Sequence, residues 1–152
     1  MDRDRETLEA EFAARLLPIA RGWRRVADRA LGGLGLSSAT AWPLVHCRRL
    51  GGRPRQTDLA RALEIADASL VPLLDRLAAA GLLARVDDAG DARVRRVTLT
   101  AAGEAQAERI EGVLAGLRRA LLAGIPDTEL AAAARVVART GEALAAAGEA
   151  RA

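Results

Sequence analysis

At 152 residues the chain is sized for one folding unit, long enough to bury a core and too short for a catalytic domain joined to a separate binding domain. Its hydrophobic half (51%) is mostly Ala and Leu, a bias towards helix; the single cysteine and single histidine exclude an intramolecular disulfide framework and an ordinary zinc site. Every basic residue is Arg, and the net charge of +3 sits in residues 48–96, where ten Arg face seven acids while the remainder balances thirteen against thirteen.

Leu8, Phe12, Leu16, Ile19, Trp23, Val26 and Ala30 recur at steps of three and four. They form one stripe of a long first helix, with a kink expected at Pro18 and a stop at Gly32-Gly33-Leu34-Gly35. Ser37 or Ser38 caps a second helix carrying Trp42, Val45, His46 and Arg49, closed by Gly51-Gly52 and the Pro54 loop. A short third helix spans about 56–63. Beyond Ile65-Ala66 a fourth puts Leu70, Leu73, Leu74 and Leu77 on one face and ends at Gly81.

The pattern then changes. The apolar run 82–86, the turn-like run 87–91 and the alternating, β-branched run 93–99 predict a β-hairpin with an Arg-rich second arm. Helical spacing returns from Thr100, with Ile110, Val113, Leu114, Leu117 and Leu121 on one side. After Gly124-Ile125-Pro126, Asp127 is the expected cap of a final helix. In that helix Leu130, Ala134, Val137, Gly141, Leu144 and Gly148 make a narrow seam, which suits either a second copy of the chain or packing inside the monomer. Pro18, Pro43 and Pro72 fall inside helical stretches, so each is expected to kink its helix or to lie in a first turn.

The expected fold is mainly α with a small β-hairpin wing: residues 1–152 as one domain, with a winged helix-turn-helix at 37–100 flanked by helical regions at 1–36 and 101–152. Such a helix pair places its second member in the major groove, about 12 Å wide, while a basic hairpin reaches the neighbouring minor groove. A concentrated positive field is what a polyphosphate partner rewards, because each neutralised phosphate releases counterions. On charge alone a solvated Arg-rich surface reads equally well.

Five motifs, taken in order and spacing, carry a family resemblance: Gln56-Thr57-Asp58-Leu59-Ala60, the run 69–77 from Ser69 to Leu77, Gly81-Leu82-Leu83-Ala84-Arg85, Asp88-Ala89-Gly90-Asp91-Ala92-Arg93 and Leu99-Thr100-Ala101-Ala102-Gly103. Together they resemble the multiple antibiotic resistance regulator (MarR) family, and the flanking helices extend the likeness over nearly the whole chain. The resemblance implies a homodimer whose first and last helices interlock, which makes 1–36 and 101–152 the dimerisation region, with two winged lobes spaced for successive grooves of a pseudo-palindromic operator in double-stranded DNA. It also implies a repressor that releases DNA when a small, often aromatic, anion binds, although these motifs do not identify that effector. Asp91 and Arg93 match a family pattern in which an aspartate orients an arginine that enters the minor groove, and Ala92 replaces a frequent second arginine. Pro72 departs from the family, which usually places a polar or basic DNA contact there.

The fourth helix presents Ala68, Pro72, Asp75, Arg76 and Ala79 opposite its leucines, with Ser69 and Val71 on the flanks. Ser69, Pro72 and Arg76 are the base-edge and phosphate candidates, whereas Asp75 would repel phosphate and is assigned to a structural ion pair. With Ser69 as N-cap, Pro72 becomes the third helical residue, where a missing N–H costs nothing, and target preference rests more on DNA shape than on hydrogen bonds. In the wing Arg93 is the leading candidate, with Arg95 and Arg96 beside it, against the plain reading that these arginines only solubilise a hairpin. Arg53 and Arg55, in the loop before the third helix, and Gln56 and Thr57, at its start, are phosphate candidates or ordinary surface groups.

Trp42, His46 and Arg49 share one side of the second helix and, with Trp23, would suit a planar aromatic carboxylate. Equally, the tryptophans fill core and the histidine is satisfied there. Cys47 is expected to be a small buried side chain rather than a redox switch, since no second cysteine can resolve a sulfenic acid. No Gly-x-Ser-x-Gly turn, phosphate loop or dinucleotide fingerprint supports an enzyme, and no cofactor is expected. The competing reading is a winged-helix protein-interaction module without DNA affinity, which Pro72 keeps open. No apolar run approaches the roughly 20 residues that span a bilayer, and the opening residues lack a signal-peptide stretch, so a cytoplasmic protein with no membrane partner is expected.

Overall fold

The computed structural model describes residues 4–91 and 93–149; Ala92 of the wing motif lies outside them. Two compact units divide the chain, Met1–Leu117 and Arg118–Ala152. The elements in order are α1 (Arg5–Gly32), α2 (Ser38–Arg49), α3 (Gln56–Ala62), α4 (Asp67–Ala79), β1 (Leu83–Asp87), β2 (Arg95–Leu99), α5 (Ala101–Leu122) and α6 (Asp127–Glu149). This is the expected mainly helical chain with a two-stranded wing.

Helix ends follow local chemistry. Asp4 caps α1 by accepting from the Thr7 N–H at 2.8 Å, and Ser37 caps α2 by accepting from the Thr40 N–H at 3.2 Å. At the end of α4, Gly81 adopts φ +72° so that its N–H reaches the Ala78 carbonyl while the Leu82 N–H reaches that of Leu77. The same paired bonds close α3, from Glu64 to Arg61 and from Ile65 to Ala60, yet here Glu64 takes the left-handed conformation, φ 57°. Glutamate bears a Cβ penalty of about 1 kcal/mol in that conformation, and the tight turn between α3 and α4 imposes it.

The core gathers Ala27 and Leu31 of α1, Ala41, Trp42, Leu44, Val45 and Cys47 of α2, Leu59 and Ala60 of α3, and Leu70, Leu74 and Leu77 of α4. It is completed by Leu83, Val97 and, from α5, Ala107, Ile110 and Leu114. The wing packs on it through an antiparallel register that pairs Leu83 with Leu99 and Asp87 with Arg95. The Pro54–Arg55 segment adds a short third edge, since the Val97 N–H donates to the Pro54 carbonyl at 3.0 Å and Arg55 bridges Arg96.

Three expectations about helix starts and prolines need correction. α4 begins at Asp67 behind Ala66, three residues earlier than a Ser69 cap allows, so Pro72 is the sixth helical residue. Its missing N–H therefore costs α4 a bond to the Ala68 carbonyl. Pro43 and Pro18 also lie past the first turn of α2 and α1, which leaves the expected kink as the alternative for each. Asp127 is not a cap but the first residue of α6, where the Glu129 and Leu130 N–H groups reach back to Pro126; its carboxylate still favours the positive end of the helix.

In the second unit the whole predicted seam of α6, from Leu130 to Gly148, is exposed, and among the described side chains of α6 only Ala132 and Thr140 are half-buried. No helix among the described residues is long and apolar enough to cross a membrane.

Candidate nucleic-acid interface

The Leu70, Leu74 and Leu77 side chains lock α4 to the core, which turns Ala68, Pro72, Asp75 and Ala79 outward, flanked by Ser69, Val71 and Arg76. Two of the polar groups on this face are already engaged. Asp75 pairs with the Arg85 guanidinium of β1, which also donates to the Val71 carbonyl at 3.1 Å. The structural ion pair expected for Asp75 is therefore present, and it ties α4 to the wing. Arg76 donates through Nε to the Pro72 carbonyl at 3.3 Å, so its head folds back along its own helix.

In the wing each acid has a local task. Asp88 pairs with Arg96 and accepts the Gly90 N–H; the Arg96 hydrogen bond, then the Gly90 N–H, holds its carboxyl below the usual range. Asp87 faces Arg95 across the strands at 3.9 Å. Asp91 accepts the backbone N–H of Arg93 at 3.0 Å, so it shapes the turn that presents Arg93 rather than holding the guanidinium itself. Arg93 is exposed at the wing tip, and no carboxylate among the described residues pairs with it.

Beside the wing lies an open cleft of about 430 Å³ whose lining includes Arg53, Arg55, Arg61 and Arg96 against one acid, Asp58. Asp58 is bonded to Arg61 at 3.2 Å, and the Arg53 carbonyl accepts from Arg96 at 3.0 Å. The surplus charge of the cleft thus rests on the exposed Arg53 and Arg55 heads. Gln56 and Thr57 open α3 next to them, half-buried and exposed respectively. Arg61 and Arg96 were not singled out as cleft residues by the sequence, because the closing contact joins segments more than forty residues apart.

The second candidate cluster is built around Trp42, which is buried. Its indole N–H donates to Asp28 of α1 at 2.7 Å, and the Arg24 guanidinium lies 4.1 Å over its ring. Burial pushes the Asp28 carboxyl up, but the Trp42 and Ser38 hydrogen bonds and the Arg24 charge outweigh it, so the group stays below its ordinary range. His46 sits 6.0 Å from Trp42, ring centre to ring centre; burial, then the Arg49 and Arg24 charges, keep it neutral more readily than a free imidazole. Arg49 bonds Glu111 of α5 at 2.6 Å. Trp23 is half-buried on α1 and takes no part in the ring contact. Arg24, Asp28 and Glu111 complete this cluster and carried no sequence signal, since nothing local couples them to α2.

Cys47 is buried with its thiol near the Gly52 and Val97 carbonyls, at 3.8 and 3.7 Å. Burial, helped by the Glu104 charge, pushes the thiol up to about 12, so it stays protonated and unreactive at neutral pH.

Comparison with known proteins places this geometry in context. The sequence pattern of the MarR family matches residues 34–94. The crystal structure of transcriptional regulator PA3341 is 34% identical, with a TM-score of 0.80 over 88% of this chain and 97% of that one. A complex of S. aureus MepR with DNA is 19% identical, with a TM-score of 0.71 over 88% and 97% of the two chains. NadR in complex with 4-hydroxyphenylacetate is 22% identical, with a TM-score of 0.72 over 84% and 89%. The last two are similar to this chain in fold.

Proposed function

The chain belongs to the MarR family of transcription regulators, and we propose that it is a homodimeric repressor that grips a pseudo-palindromic operator through two winged lobes. The observation that carries this reading is the accounting of charge on the wing and its cleft. Asp87, Asp88 and Asp91 are each occupied by a neighbour, while the exposed arginines Arg93, Arg53 and Arg55 have no carboxylate partner among the described residues. Arg93 enters the minor groove, α4 lies in the major groove, and Arg53, Arg55, Gln56 and Thr57 hold phosphates. Arg95, half-engaged by Asp87, adds to the field. That S. aureus MepR is seen with DNA supports the reading by likeness of fold.

The test is selection of bound fragments from a random duplex pool, followed by titration at several salt concentrations. A recovered palindrome and an affinity that falls steeply with salt are expected. Arg93→Ala is expected to weaken operator binding about tenfold, roughly 1.4 kcal/mol, with the oligomeric state unchanged. Recovery of no duplex at low salt would instead favour the protein-interaction module.

Effector response belongs to the same proposal, supported by the 4-hydroxyphenylacetate bound to NadR. In this chain an aromatic carboxylate would take the place of Glu111 on Arg49 and lie against Trp42 and His46, with Trp23 the outer wall. Calorimetry with benzoate-like acids should show heat of binding in the wild type that disappears in both Arg49→Gln and Trp42→Ala. Equal binding by all three discards this site.

A further inference from the structure

We infer that the recognition helix selects its operator by thymine methyl groups, a reading that rests on the DNA-binding proposal above and names the chemistry of its target. Base edges in the major groove are told apart by hydrogen bonds, chiefly from Arg or Lys to guanine and from Asn or Gln to adenine, and by apolar contact with the C5-methyl of thymine. α4 contains no Lys, Asn or Gln. Its one arginine, Arg76, lies in the third turn and is bonded to the Pro72 carbonyl, and Asp75 is held by Arg85.

Asp67, the exposed first residue, stands seven positions before Leu74 and so on the leucine side, and what remains on the outward face of the first two turns, the part of a recognition helix that meets base edges, is one hydroxyl and a run of hydrocarbon. Ser69 supplies the hydroxyl. Ala68, Val71 and Pro72 supply methyl and ring methylene groups, all three exposed, with Val71 at 37%. Ala68 and Pro72 are four residues apart on the outermost line of the helix, so they form one apolar ridge. The only apolar group a base pair offers in that groove is the thymine methyl. Each half-site should therefore carry A·T pairs whose methyl groups meet Ala68, Val71 and Pro72.

The experiment uses the full-length protein and the duplex recovered by selection, with deoxyuridine replacing thymine one position at a time at fixed salt. Deoxyuridine keeps every hydrogen-bonding group and lacks only the methyl. We expect one or two thymines per half-site at which the replacement weakens binding about fourfold, the effect of losing one buried methyl-sized group. Pro72→Gln and Val71→Ala should each bring the thymine-to-deoxyuridine ratio at one of those positions towards one. Pro72→Gln also restores the N–H that α4 lacks, so its folding is not at risk.

Equal affinity for thymine and deoxyuridine duplexes at every position overturns the inference while leaving DNA binding intact. A loss that persists unchanged in both variants also overturns it, because the methyl would then be read elsewhere or through DNA shape. If the wild type binds no thymine duplex at low salt, the DNA-binding proposal itself fails and takes this inference with it.

Discussion

Gly103→Ala is expected to lower folding stability by about 3 kcal/mol or more, through overlap with backbone that has nowhere to move. A Cβ placed on Gly103 would overlap the Leu82 carbonyl oxygen and lie 2.9 Å from its carbon. That carbonyl is fixed by the Thr100 N–H at 3.1 Å, and Thr100 itself is fixed twice more. Its hydroxyl donates to the Gly81 carbonyl at 2.6 Å and accepts the Gly103 N–H at 3.1 Å. Shifting Leu82 to admit a methyl group would break this lattice and displace its neighbour Leu83, which is buried in the core. Moving α5 instead would withdraw Ala107, Ile110 and Leu114 from the same core. Thermal unfolding should record a fall of roughly 6–12 °C for a chain of this length. Ala102→Gly, one residue away and exposed, should cost only about 1 kcal/mol from helix propensity. A melting temperature for Gly103→Ala within a degree of wild type would mean that the close approach of α5 to the wing strand does not exist.

The motif around Thr100 also shows why much of the fold was legible in sequence. A capping hydroxyl, a glycine that backbone crosses and stop signals at Gly35, Gly51 and Gly81 are local devices, and local devices leave residues of recognisable type. The turn between α3 and α4 breaks that rule. Glu64 occupies a left-handed position that glycine usually fills, so the turn was placed only by the leucines on either side of it. Ala66 at the head of α4 makes no side-chain cap, and Ser69 therefore looked like the better start. Pro43 and Pro72 sit in helix interiors because tertiary burial of α2 and α4 overrides a lost hydrogen bond.

The candidate sites divide along the same line. The outward face of α4 follows from periodicity, which fixes the side from which a residue projects, and Arg93 follows from the resemblance of the Asp91–Arg93 motif to the family pattern. The partners that set their chemistry do not: Arg85 for Asp75, Asp28 and Arg24 for Trp42, and Glu111 for Arg49 each come from another element. Strand register and helix packing create those pairs, and neither is written in local composition. Cys47 is readable as a buried side chain because a lone thiol with no resolving cysteine in the chain behaves as a small apolar group, and its raised thiol follows from that burial.

The double substitution Val137→Glu with Leu144→Glu is expected to convert a dimer into a monomer and to remove high-affinity operator binding. None of the described side chains of α6 is buried. Leu130, Val137 and Leu144, spaced by seven, are 37%, 58% and 67% exposed, and Ile19 on α1 is 64% exposed. A helix whose apolar line is this open has not yet found what covers it, and we propose that a second copy does. Fully burying a Val or Leu side chain contributes about 1.5–3 kcal/mol, and in a two-fold interface each substitution acts twice. Replacing two such residues should thus cost about 6 kcal/mol or more of association free energy, roughly four orders of magnitude in the dimer dissociation constant. Glutamate is a good helix former, so the variant should keep its helical circular dichroism while sedimentation at micromolar concentration reports half the mass. Ala146→Glu, on the opposite side of the same helix, is the control for added charge and should leave the mass unchanged. A single lobe meets only half of a palindrome, so operator affinity should fall with the dimer. Should the double variant sediment at the wild-type mass and bind the operator as tightly, the exposed line of α6 is not where two chains meet.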